Sequence, residues 1–450
     1  MKTSFLKTVV LSFSCLFLYS ATSAQSVYAF ACSGVAGYSG DGGSAATAQC
    51  FAPTGMAVNS RGQVFFADNG NNVVRMIDEH GLISTFAGND TAGFSGDGGP
   101  ALTAKLNGPI ALAVDAADNI YICDAGNSAI RKVNSSGVIT TVAGTGVAGF
   151  SGNFGPATAA KLNKPQGIAV DAEGNLYISD TYNQFIRKVT DSNGHIFNIA
   201  GTGSAGTSRS NTNALIANIS YPGGITVDYI GNIYFSDQGN NMVKKINLSG
   251  DMTYFAGNGT YGYSGDGGVG TDASINVPQH LVTDAVGDLY FTEFGNHVVR
   301  KETRSGTIGT LAGTGARGNS GNGGDARSAT FNGLLGIAYS SSGRIYISDE
   351  VENTIRVIAG AEAVNNINDN QKLVDVSPNP TDGYLNIRLN AAIDLIGYSV
   401  SSINGNVVID FIREPSSHFS IDLNNLPNGI YLLNCSTSQG SVIKRFLLNK

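Results

Sequence analysis

The feature that most constrains the fold is a segment of about 56 residues that returns six times along the chain. One part of it reads VFFADNGNNVVRMI at 64–77 and IYICDAGNSAIRKV at 120–133. The acidic residue of this part recurs at intervals of 56, 56, 57, 56 and 56 residues, at Asp68, Asp124, Asp180, Asp237, Glu293 and Asp349. A period of this length predicts one supersecondary unit per copy, stacked on its neighbours.

Each complete copy contains four short segments that are typical of β-strands. In the third copy they read GIAVD, NLYISD, QFIRKV and HIFNIAG between residues 167 and 201. They are rich in β-branched and aromatic residues and are bounded by Gly, Asn or Asp. Four strands in a unit of this size describe one propeller blade, so six copies predict a six-bladed β-propeller.

The ends of the repeat region predict how the ring closes. The last copy stops at TIRVIAG (354–360) and has only three strand segments. The segment SVYAFACSGVAGYSGDGG (26–43) precedes the first copy and aligns with an outermost strand and its loop, LISTFAGNDTAGFSGDGG (82–99). We therefore expect the N-terminal strand to complete the sixth blade, which leaves no open sheet edge at the seam.

These motifs identify a family resemblance. The pattern P-x-G-I-A-V-D, G-N-L-Y-I-S-D, N-x-x-I-R-K-V resembles the NHL-repeat family of six-bladed propellers, and Gly295-Asn296-His297 matches the motif behind the family name. The long G-F-S-G-D-G-G-P-A loops resemble those of bacterial extracellular members. The resemblance implies a propeller over residues 25–360, in a family whose members serve mostly as binding platforms and less often as enzymes.

Both ends of the chain carry export signals. Residues 1–24 have a positive start, an apolar run and small residues before Ala24, which predicts a signal peptide cleaved after Ala24. Residues 361–371 are polar and predict a linker. Residues 372–450 show alternating strands that predict a small β-sandwich. The remaining stretches hold no run of 18 apolar residues, so no membrane span is expected in the mature chain.

The words SPNPTDGYLNI, LPNGIYLL and IKRFLLNK between residues 377 and 450 resemble the C-terminal sorting domain of type IX secretion cargo in Bacteroidetes. This resemblance implies that residues 372–450 engage the type IX secretion machinery. We therefore expect a secreted protein or one attached to the outer-membrane surface.

Composition narrows the partners and the redox chemistry. The net charge of −7 gives no basic footprint for nucleic acid. Four cysteines follow the predicted signal peptide, and three pairings of them are possible. Cys32 and Cys50 are close in sequence and form the one pair that we consider.

Glycine-rich words such as GFSGDGG (93–99) precede several copies and resemble a metal or phosphate loop. A P-loop requires Gly-Lys-Ser/Thr, whereas Pro100-Ala101 follows here. Each loop offers a single carboxylate, at Asp41, Asp97 or Asp266, while a calcium site needs several oxygen ligands at close spacing. We interpret the loops as compact turns in which glycines adopt positive φ, and keep calcium binding as the alternative.

The acidic residues that end the second strands are interpreted as structural. An asparagine follows three residues later in five copies, and an arginine or lysine seven residues later in all six. Recurrence in every blade predicts a turn together with an ion pair between strands or blades.

Departures from the repeat are the better candidates for function. We expect the short turns and the long glycine loops to emerge on one face of the ring, which we predict to be the ligand-binding surface. Tyr182 and Phe294 are aromatic residues in the short turns, and Tyr261 and Tyr263 lie in the loop before the fifth copy. Exposed aromatic rings stack on sugars or contact proteins.

His280 occupies a first-strand position that holds Gly or Ala in the other five copies, and we expect it at the central channel. No set of three histidines suited to zinc can be assembled around it. We therefore predict a secreted or cell-surface binding module for a protein or glycan ligand. The alternative is a lactonase-like hydrolase or lyase that uses the central channel.

Overall fold

The computed structural model describes residues 25–360, 374–389, 395–402, 407–412, 418–437 and 440–450. The predicted signal peptide and linker lie outside the described residues. Residues 25–360 form six antiparallel sheets, which we number as blades 1 to 6 in chain order. The predicted propeller is confirmed, with four consecutive strands in each complete blade.

The strands of the first three blades follow one another along the chain. Blade 1 contains β2 (Pro53–Val58), β3 (Val64–Asp68), β4 (Val73–Ile77) and β5 (Ile83–Ala87). Blade 2 contains β6 (Pro109–Val114), β7 (Ile120–Asp124), β8 (Ala129–Val133) and β9 (Ile139–Ala143). Blade 3 contains β10 (Gly167–Val170), β11 (Leu176–Asp180), β12 (Phe185–Val189) and β13 (Ile196–Ala200).

Blade 4 has an additional outer strand, and blade 6 takes its outer strand from the beginning of the described chain. Blade 4 contains β14 (Thr212–Asn213), β15 (Pro222–Val227), β16 (Ile233–Asp237), β17 (Met242–Ile246) and β18 (Asp251–Ala256). Blade 5 contains β19 (Pro278–Thr283), β20 (Leu289–Glu293), β21 (Val298–Glu302) and β22 (Ile308–Ala312). Blade 6 contains β23 (Leu334–Tyr339), β24 (Ile345–Asp349) and β25 (Thr354–Gly360), with β1 (Gln25–Ala31).

The predicted closure by the N-terminal strand is confirmed. β1 pairs antiparallel with β25, so that Val27 lies opposite Ile358 and Ala31 opposite Ile355. On its other side, the Val27 amide donates to the Gly324 carbonyl at 3.1 Å. A disulfide joins Cys32 to Cys50 just beyond β1, which is the pair that the sequence suggested. The closure is therefore stabilised by strand pairing, by a hydrogen bond to a loop and by a disulfide.

The hydrophobic core lies between the blades rather than within them. Val27, Phe331 and Ile347, for example, belong to a cluster that joins the sheets of blades 5 and 6. Each of the six seams has such a cluster, built from the facing surfaces of two neighbouring sheets. Since one blade cannot bury its faces alone, the ring is stable only as a whole.

The segment that leads into each blade, here called its leading loop, takes a path that the sequence did not reveal. The leading loops are residues 32–52, 88–108, 144–166, 201–221, 257–277 and 313–333. In blade 1 the loop descends along β5, where the amides of Gly42 and Ala45 donate to the carbonyls of Ile83 and Gly81. It then returns, and its two arms meet at the Ser39–Gln49 bridge. The glycine-rich words thus cover the outer edge of a sheet.

Ten short 3-10 turns complete the propeller; no α-helix occurs among the described residues. They span Ala45–Thr47, Asn69–Asn71, Ala101–Thr103, Ala125–Asn127, Ala157–Ala159, Thr181–Asn183, Ala214–Ile216, Gln238–Asn240, Gly270–Asp272 and Ala326–Ser328. Alternate members join the second and third strands of blades 1 to 4, and the others lie in the leading loops.

The described residues after 373 form two sheets with a shared core, as expected for a small sandwich. One sheet contains β26 (Val374–Ser377), β27 (Tyr384–Leu389) and β30 (His418–Asp422). The other contains β28 (Leu395–Ser402), β29 (Val407–Ile412), β31 (Gly429–Thr437) and β32 (Gly440–Leu448). Buried Leu385 and Ile387 of the first sheet pack in one cluster with Leu433 and Phe446 of the second.

Candidate binding site

The acidic residue at the end of each second strand lies in a buried polar network. In blade 2, Asp124 accepts hydrogen bonds from the Asn107 amide at 2.7 Å, from Asn127 Nδ2 at 2.8 Å and from Arg131 Nη1 at 3.4 Å. Both charged side chains are fully buried. Burial raises the pKa of Asp124 to about 6, while Asn127, Asn107 and Arg131 act in the opposite direction. The predicted ion pair between strands is confirmed in blades 1 to 5, whereas in blade 6 no ion pair joins Asp349 and Arg356 among the described residues.

The glycine-rich motif surrounds the side chain of the same arginine. Asp97 Oδ1 accepts from Arg131 Nη2 at 2.7 Å, and the Ser95 carbonyl accepts from the same nitrogen at 3.0 Å. The Phe94 ring lies 5.0 Å from the Arg131 guanidinium carbon. The Gly93 carbonyl accepts from the asparagine of the turn at 2.7 Å. The chemistry of GFSGD is therefore directed at an arginine of its own blade.

The other loop carboxylates have equivalent partners. Asp41 accepts from Arg75 Nη2 at 2.6 Å, and Asp266 accepts from Arg300 Nη2 at 2.7 Å. The residues that the structure describes contain no group of three or more His, Cys, Asp or Glu suited to a metal. Calcium binding at Asp41, Asp97 or Asp266 stays an untested alternative. A cation there would compete with the arginine for the carboxylate.

The central channel narrows where the first strands approach one another. A Cβ built at Gly336 would lie 2.2 Å from the Thr54 carbonyl oxygen, and one at Gly167 would lie 2.2 Å from the Gly223 carbonyl oxygen. His280 is the exception to the small residues of this neck, and a Cβ at Gly55 would lie 2.9 Å from its Cε1 atom. The imidazole therefore reaches from blade 5 across the neck towards blade 1.

His280 lies at a cavity of about 200 Å³ in the channel. The side chains that line it are mostly apolar and include Val58, Val114 and Tyr339, with no carboxylate among the described residues. Burial lowers the pKa of His280 to about 4, and a hydrogen bond to the Gln166 backbone opposes that shift. The ring is thus neutral at neutral pH. Among the described residues, the channel therefore offers one neutral imidazole and no carboxylate for acid–base chemistry.

Tyr182 belongs to an exposed aromatic cluster where blades 3 and 4 meet, which we call the loop-face cluster: Tyr182, Tyr221 and Lys164. The two tyrosine rings meet edge to face with centroids 5.8 Å apart. Lys164 Nζ lies 5.3 Å from the Tyr182 ring centroid. Both tyrosines are roughly half exposed. Aromatic rings beside a cation on an accessible surface are suited to contact a ligand.

The other predicted aromatic residues lie apart from this cluster. The Tyr263 ring lies 5.5 Å from the Arg300 guanidinium carbon, and its hydroxyl shares a hydrogen bond with Thr310 at 2.8 Å. Tyr263 thus takes the structural place of Phe94 in blade 2. Tyr261 is 75% exposed. Phe294 is half-buried and lies in the turn after β20. None of the predicted binding residues is tested by these contacts, and they stay predictions.

Sequence reasoning missed Tyr221 and Lys164. Tyr182, which contacts both, does carry a signal in the sequence. It stands where four other blades have glycine in the same turn, at Gly70, Gly126, Gly239 and Gly295. In those blades a Cβ would come within 2.6 Å of the preceding leading loop, as 2.3 Å from Phe51 at Gly70 illustrates. Blade 3 keeps the backbone of this turn, with the Tyr182 amide donating to the Asn163 carbonyl at 3.2 Å, and holds a large side chain there.

Blade 5 contains a further departure inside its core. Glu302 is buried at a position that is Ile or Val in the other blades, and its Oε2 atom has no hydrogen-bond partner among the described residues. A Cβ at Gly270 would lie 2.2 Å from that atom, and all five other blades have alanine there. Burial raises the pKa of Glu302 to about 8, so the side chain is protonated at neutral pH.

Comparison with protein families agrees with this architecture. Residues 162–189 match the NHL repeat, and residues 31–94 and 89–151 match the teneurin NHL domain. Residues 375–449 match the secretion system C-terminal sorting domain. The fold and these matches define an exported β-propeller. In particular, the chain is an NHL-repeat propeller followed by a type IX secretion sorting domain.

Curated relatives match this chain over part of their length. Teneurin-1 of Gallus gallus is 27% identical over 281 residues, which is 59% of this chain and 8% of teneurin-1. The chloroplastic protein SUPPRESSOR OF QUENCHING 1 of Arabidopsis thaliana is 25% identical over 328 residues, 57% of this chain and 30% of that protein. The chain thus matches only a small part of these relatives.

Solved structures support the fold alone. A protein of unknown function from Bacteroides thetaiotaomicron is 21% identical, with a TM-score of 0.56, and the match covers 75% of this chain and 76% of that one. An auxiliary nutrient binding protein from the same organism is 17% identical, with a TM-score of 0.54 and coverage of 75% and 76%.

The sorting domain directs the chain to the cell surface or the extracellular space through type IX secretion. Within the described ranges, no helix has the length and apolar character needed to cross a bilayer.

Proposed function

We propose that this protein is a surface-attached or secreted binding module that presents the loop-face cluster to a protein or glycan ligand. The observation that carries the proposal is the exposed Tyr182–Tyr221 pair with Lys164 beside it. Four other blades have glycine at the position of Tyr182, so the fold does not require an aromatic residue there. Delivery would depend on residues 372–450, with residues 1–24 as the signal peptide.

The polar framework supports a binding role over catalysis. In blades 1 to 5 the buried acid is paired with the buried arginine or lysine of its own blade, as the Asp124–Arg131 pair illustrates. The channel, which the enzymatic alternative would use, is lined by one neutral imidazole and mostly apolar side chains. We therefore do not carry the lactonase-like or lyase alternative forward.

The proposal is tested with the full exported chain on a glycan array and by capture from a surface-protein extract of the native host. We expect a ligand whose binding falls at least tenfold, about 1.4 kcal/mol, in the Tyr182→Ala/Tyr221→Ala double variant. Leu82→Ala is the matched control, since Leu82 is a similarly exposed apolar side chain in a turn at the opposite end of the strands.

Binding that is indifferent to the double variant would place the ligand elsewhere and refute the role of this cluster. A double variant that loses binding together with its thermal transition would also count against the proposal, because the cluster would then be part of the fold.

A further inference from the structure

The outer rim where blades 3 and 4 meet contains a pocket that is separate from the loop-face cluster. Its volume is about 480 Å³, within the range of small-ligand sites. Its apolar lining consists of Phe154, Phe185, Phe197, Leu215 and Ile216. Three aromatic rings and two branched aliphatic side chains around one opening form a concave apolar surface in contact with solvent.

Phe154 departs most strongly from the repeat. It has φ +70°, in the left-handed region that favours glycine. The equivalent residues of four other leading loops are glycines with φ between +78° and +82°: Gly42, Gly98, Gly267 and Gly323. The Phe154 side chain is nevertheless 72% exposed, so its burial does not explain its presence. A bulky residue held in such a conformation at the surface indicates a functional constraint.

The neighbours of Phe154 depart from the repeat in the same direction. The Phe197 ring meets the Phe154 ring edge to face at 5.7 Å. The residues equivalent to Phe197 are Ser84, Thr140, Thr253 and Gly309 in four other blades, and Tyr28 in blade 6. Ile216 is 71% exposed, where the other leading loops have Thr, Ala, Asp or Ser. Apolar side chains have thus replaced small or polar ones at several positions that converge on one pocket.

The polar lining identifies the kind of ligand. Asn198 lines the pocket, and its Oδ1 atom is buried without a hydrogen-bond partner among the described residues. Its backbone amide is already engaged, because it donates to Asn153 Oδ1 at 2.8 Å. Among the described residues, no ionisable side chain lines the pocket. The lining therefore suits an uncharged ligand that donates a hydrogen bond and offers an apolar face.

We propose that this pocket binds one ring of a neutral saccharide. The C–H face of the sugar would pack on Phe154 and Phe197, and one hydroxyl would donate to Asn198 Oδ1. An apolar ligand would leave that oxygen unsatisfied, and a charged ligand would find no counter-charge. The proposal does not depend on the loop-face cluster, which is probed by different substitutions.

The test follows the ¹³C-labelled methyl groups of Leu215 and Ile216 by NMR in the full exported chain, with methyl β-glucopyranoside as the probe. A ligand of about a dozen non-hydrogen atoms at modest ligand efficiency binds with a Kd on the order of 1 mM. We expect saturable shifts of these methyl resonances. We expect the Kd to rise at least tenfold in Phe154→Gly, which restores the glycine of the other loops.

Two further variants separate recognition from folding. Asn198→Thr restores the residue found in three other blades, at Thr85, Thr141 and Thr310, and should also raise the Kd. Leu248→Ala is the matched control, because Leu248 is 76% exposed in a turn of blade 4, and it should leave the Kd unchanged. We expect the melting temperature of Phe154→Gly to equal or exceed that of the parent chain.

Three results would overturn the proposal. The first is an absence of methyl shifts at about 50 mM probe, far above the expected Kd. The second is a titration that persists unchanged in both Phe154→Gly and Asn198→Thr. The third is a set of shifts produced by benzyl alcohol and not by the sugar, which would make the pocket a site for apolar groups.

Discussion

We call the buried strand-end acid and the arginine or lysine of each blade the arginine framework. Its polar groups are buried, whereas the aromatic side chains at the seam between blades 3 and 4 are exposed. In blade 2, Arg131 is fully buried and is paired with both Asp124 and Asp97. At the seam, Tyr182, Tyr221 and Phe154 project into solvent. The framework recurs in every blade with small variations, whereas the exposed aromatic side chains occur at positions that are usually glycine or polar.

Blade 4 shows how closely the two halves of the framework are linked. Its leading loop lacks the G-x-S-G-D-G-G word, and its third strand has Lys244 in place of arginine. Lys244 keeps its pair with the strand-end acid Asp237, but no loop carboxylate pairs with it among the described residues. An ammonium group lacks the planar fork of a guanidinium, and blade 4 has neither the loop carboxylate nor the arginine. Blades 3 and 6 keep the arginine although their loops have asparagine in place of aspartate. We therefore interpret residues that recur in every blade as structural, and residues that depart from the repeat as candidates for function.

The largest expected effect concerns the closure of the ring by β1. A chain that begins at residue 36 lacks β1, with fully buried Val27, and lacks the Cys32–Cys50 disulfide. A disulfide that closes a loop of this size contributes roughly 3 kcal/mol, and burial of the valine side chain about 1.5 kcal/mol or more. Total stabilities are typically about 5–15 kcal/mol, so this chain should be marginal or aggregate through its bare edge.

The control for that truncation is the chain that begins at residue 25, compared by thermal unfolding and size-exclusion chromatography. Equal melting temperatures of the two chains would contradict the structural importance of β1. Removal of residues 372–450 instead should leave the propeller transition nearly unchanged and retain the protein in the periplasm of the native host.

The second prediction addresses the buried pair. Arg131→Met removes a cation and leaves Asp124 buried without its charge partner, which should cost about 3–5 kcal/mol in the free energy of unfolding. Lys132→Met is the matched control, because Lys132 is partly exposed and lies 3.8 Å from Asp115. Exposed pairs of this kind contribute about 1 kcal/mol or less. Chemical denaturation of both variants measures the difference, and similar losses would mean that the buried network is unimportant.

Much of the framework could be predicted from the sequence because it repeats. The period gave the blade number, the incomplete last copy gave the closure, and the spacing of Asp68, Asn71 and Arg75 predicted the turn with its ion pair. Each of these inferences uses residues that are near one another in the chain or are related by the period. Local chemistry and regular spacing are the information that a single sequence carries most clearly.

The path of the leading loops could not be predicted in the same way. Glycines at positive φ indicate turns, but they do not say where the chain goes between the turns. We expected the loops to emerge on a binding face. In blade 1 the Gly42 amide donates to the outer strand of its own blade, and the Ala45 amide donates to the turn before that strand. Phe154 could have been noticed as the one phenylalanine among glycines. Its convergence with Ile216, from the next leading loop, depends on tertiary structure.

The third prediction concerns pH and the neck of the channel. Burial lowers the pKa of His280 to about 4 from an ordinary value of 6.5, so the unfolded chain binds a proton between these values and the folded chain does not. The contribution of His280 to stability is therefore fully present above pH 6.5 and falls as the pH drops to about 4. The loss is up to about 3 kcal/mol. His280→Asn should flatten this part of the stability profile, and an unchanged slope would show that another group dominates it.

The smallest expected effect concerns the loop carboxylates and settles the calcium alternative. Asp97 is about half exposed, and blades 3 and 6 have asparagine at this position, at Asn153 and Asn322. Arg356 of blade 6 still donates to Asn322 Oδ1 at 2.9 Å. Asp97→Asn should therefore cost about 1 kcal/mol or less, because an amide oxygen replaces one oxygen of a solvated carboxylate.

A chelator should leave the melting temperature of the parent chain unchanged if arginine is the only partner of the loop carboxylates. Calcium bound to the folded state would instead add about 2–4 kcal/mol at saturating excess. The decisive comparison sets the parent chain against Asp97→Asn/Asp266→Asn, with Asp272→Asn as the control at an exposed carboxylate of the same leading loop as Asp266. A chelator-induced fall of many degrees in the parent and the control, but not in the double variant, would make these loops calcium sites. The framework would then depend on a cation that competes with its arginines.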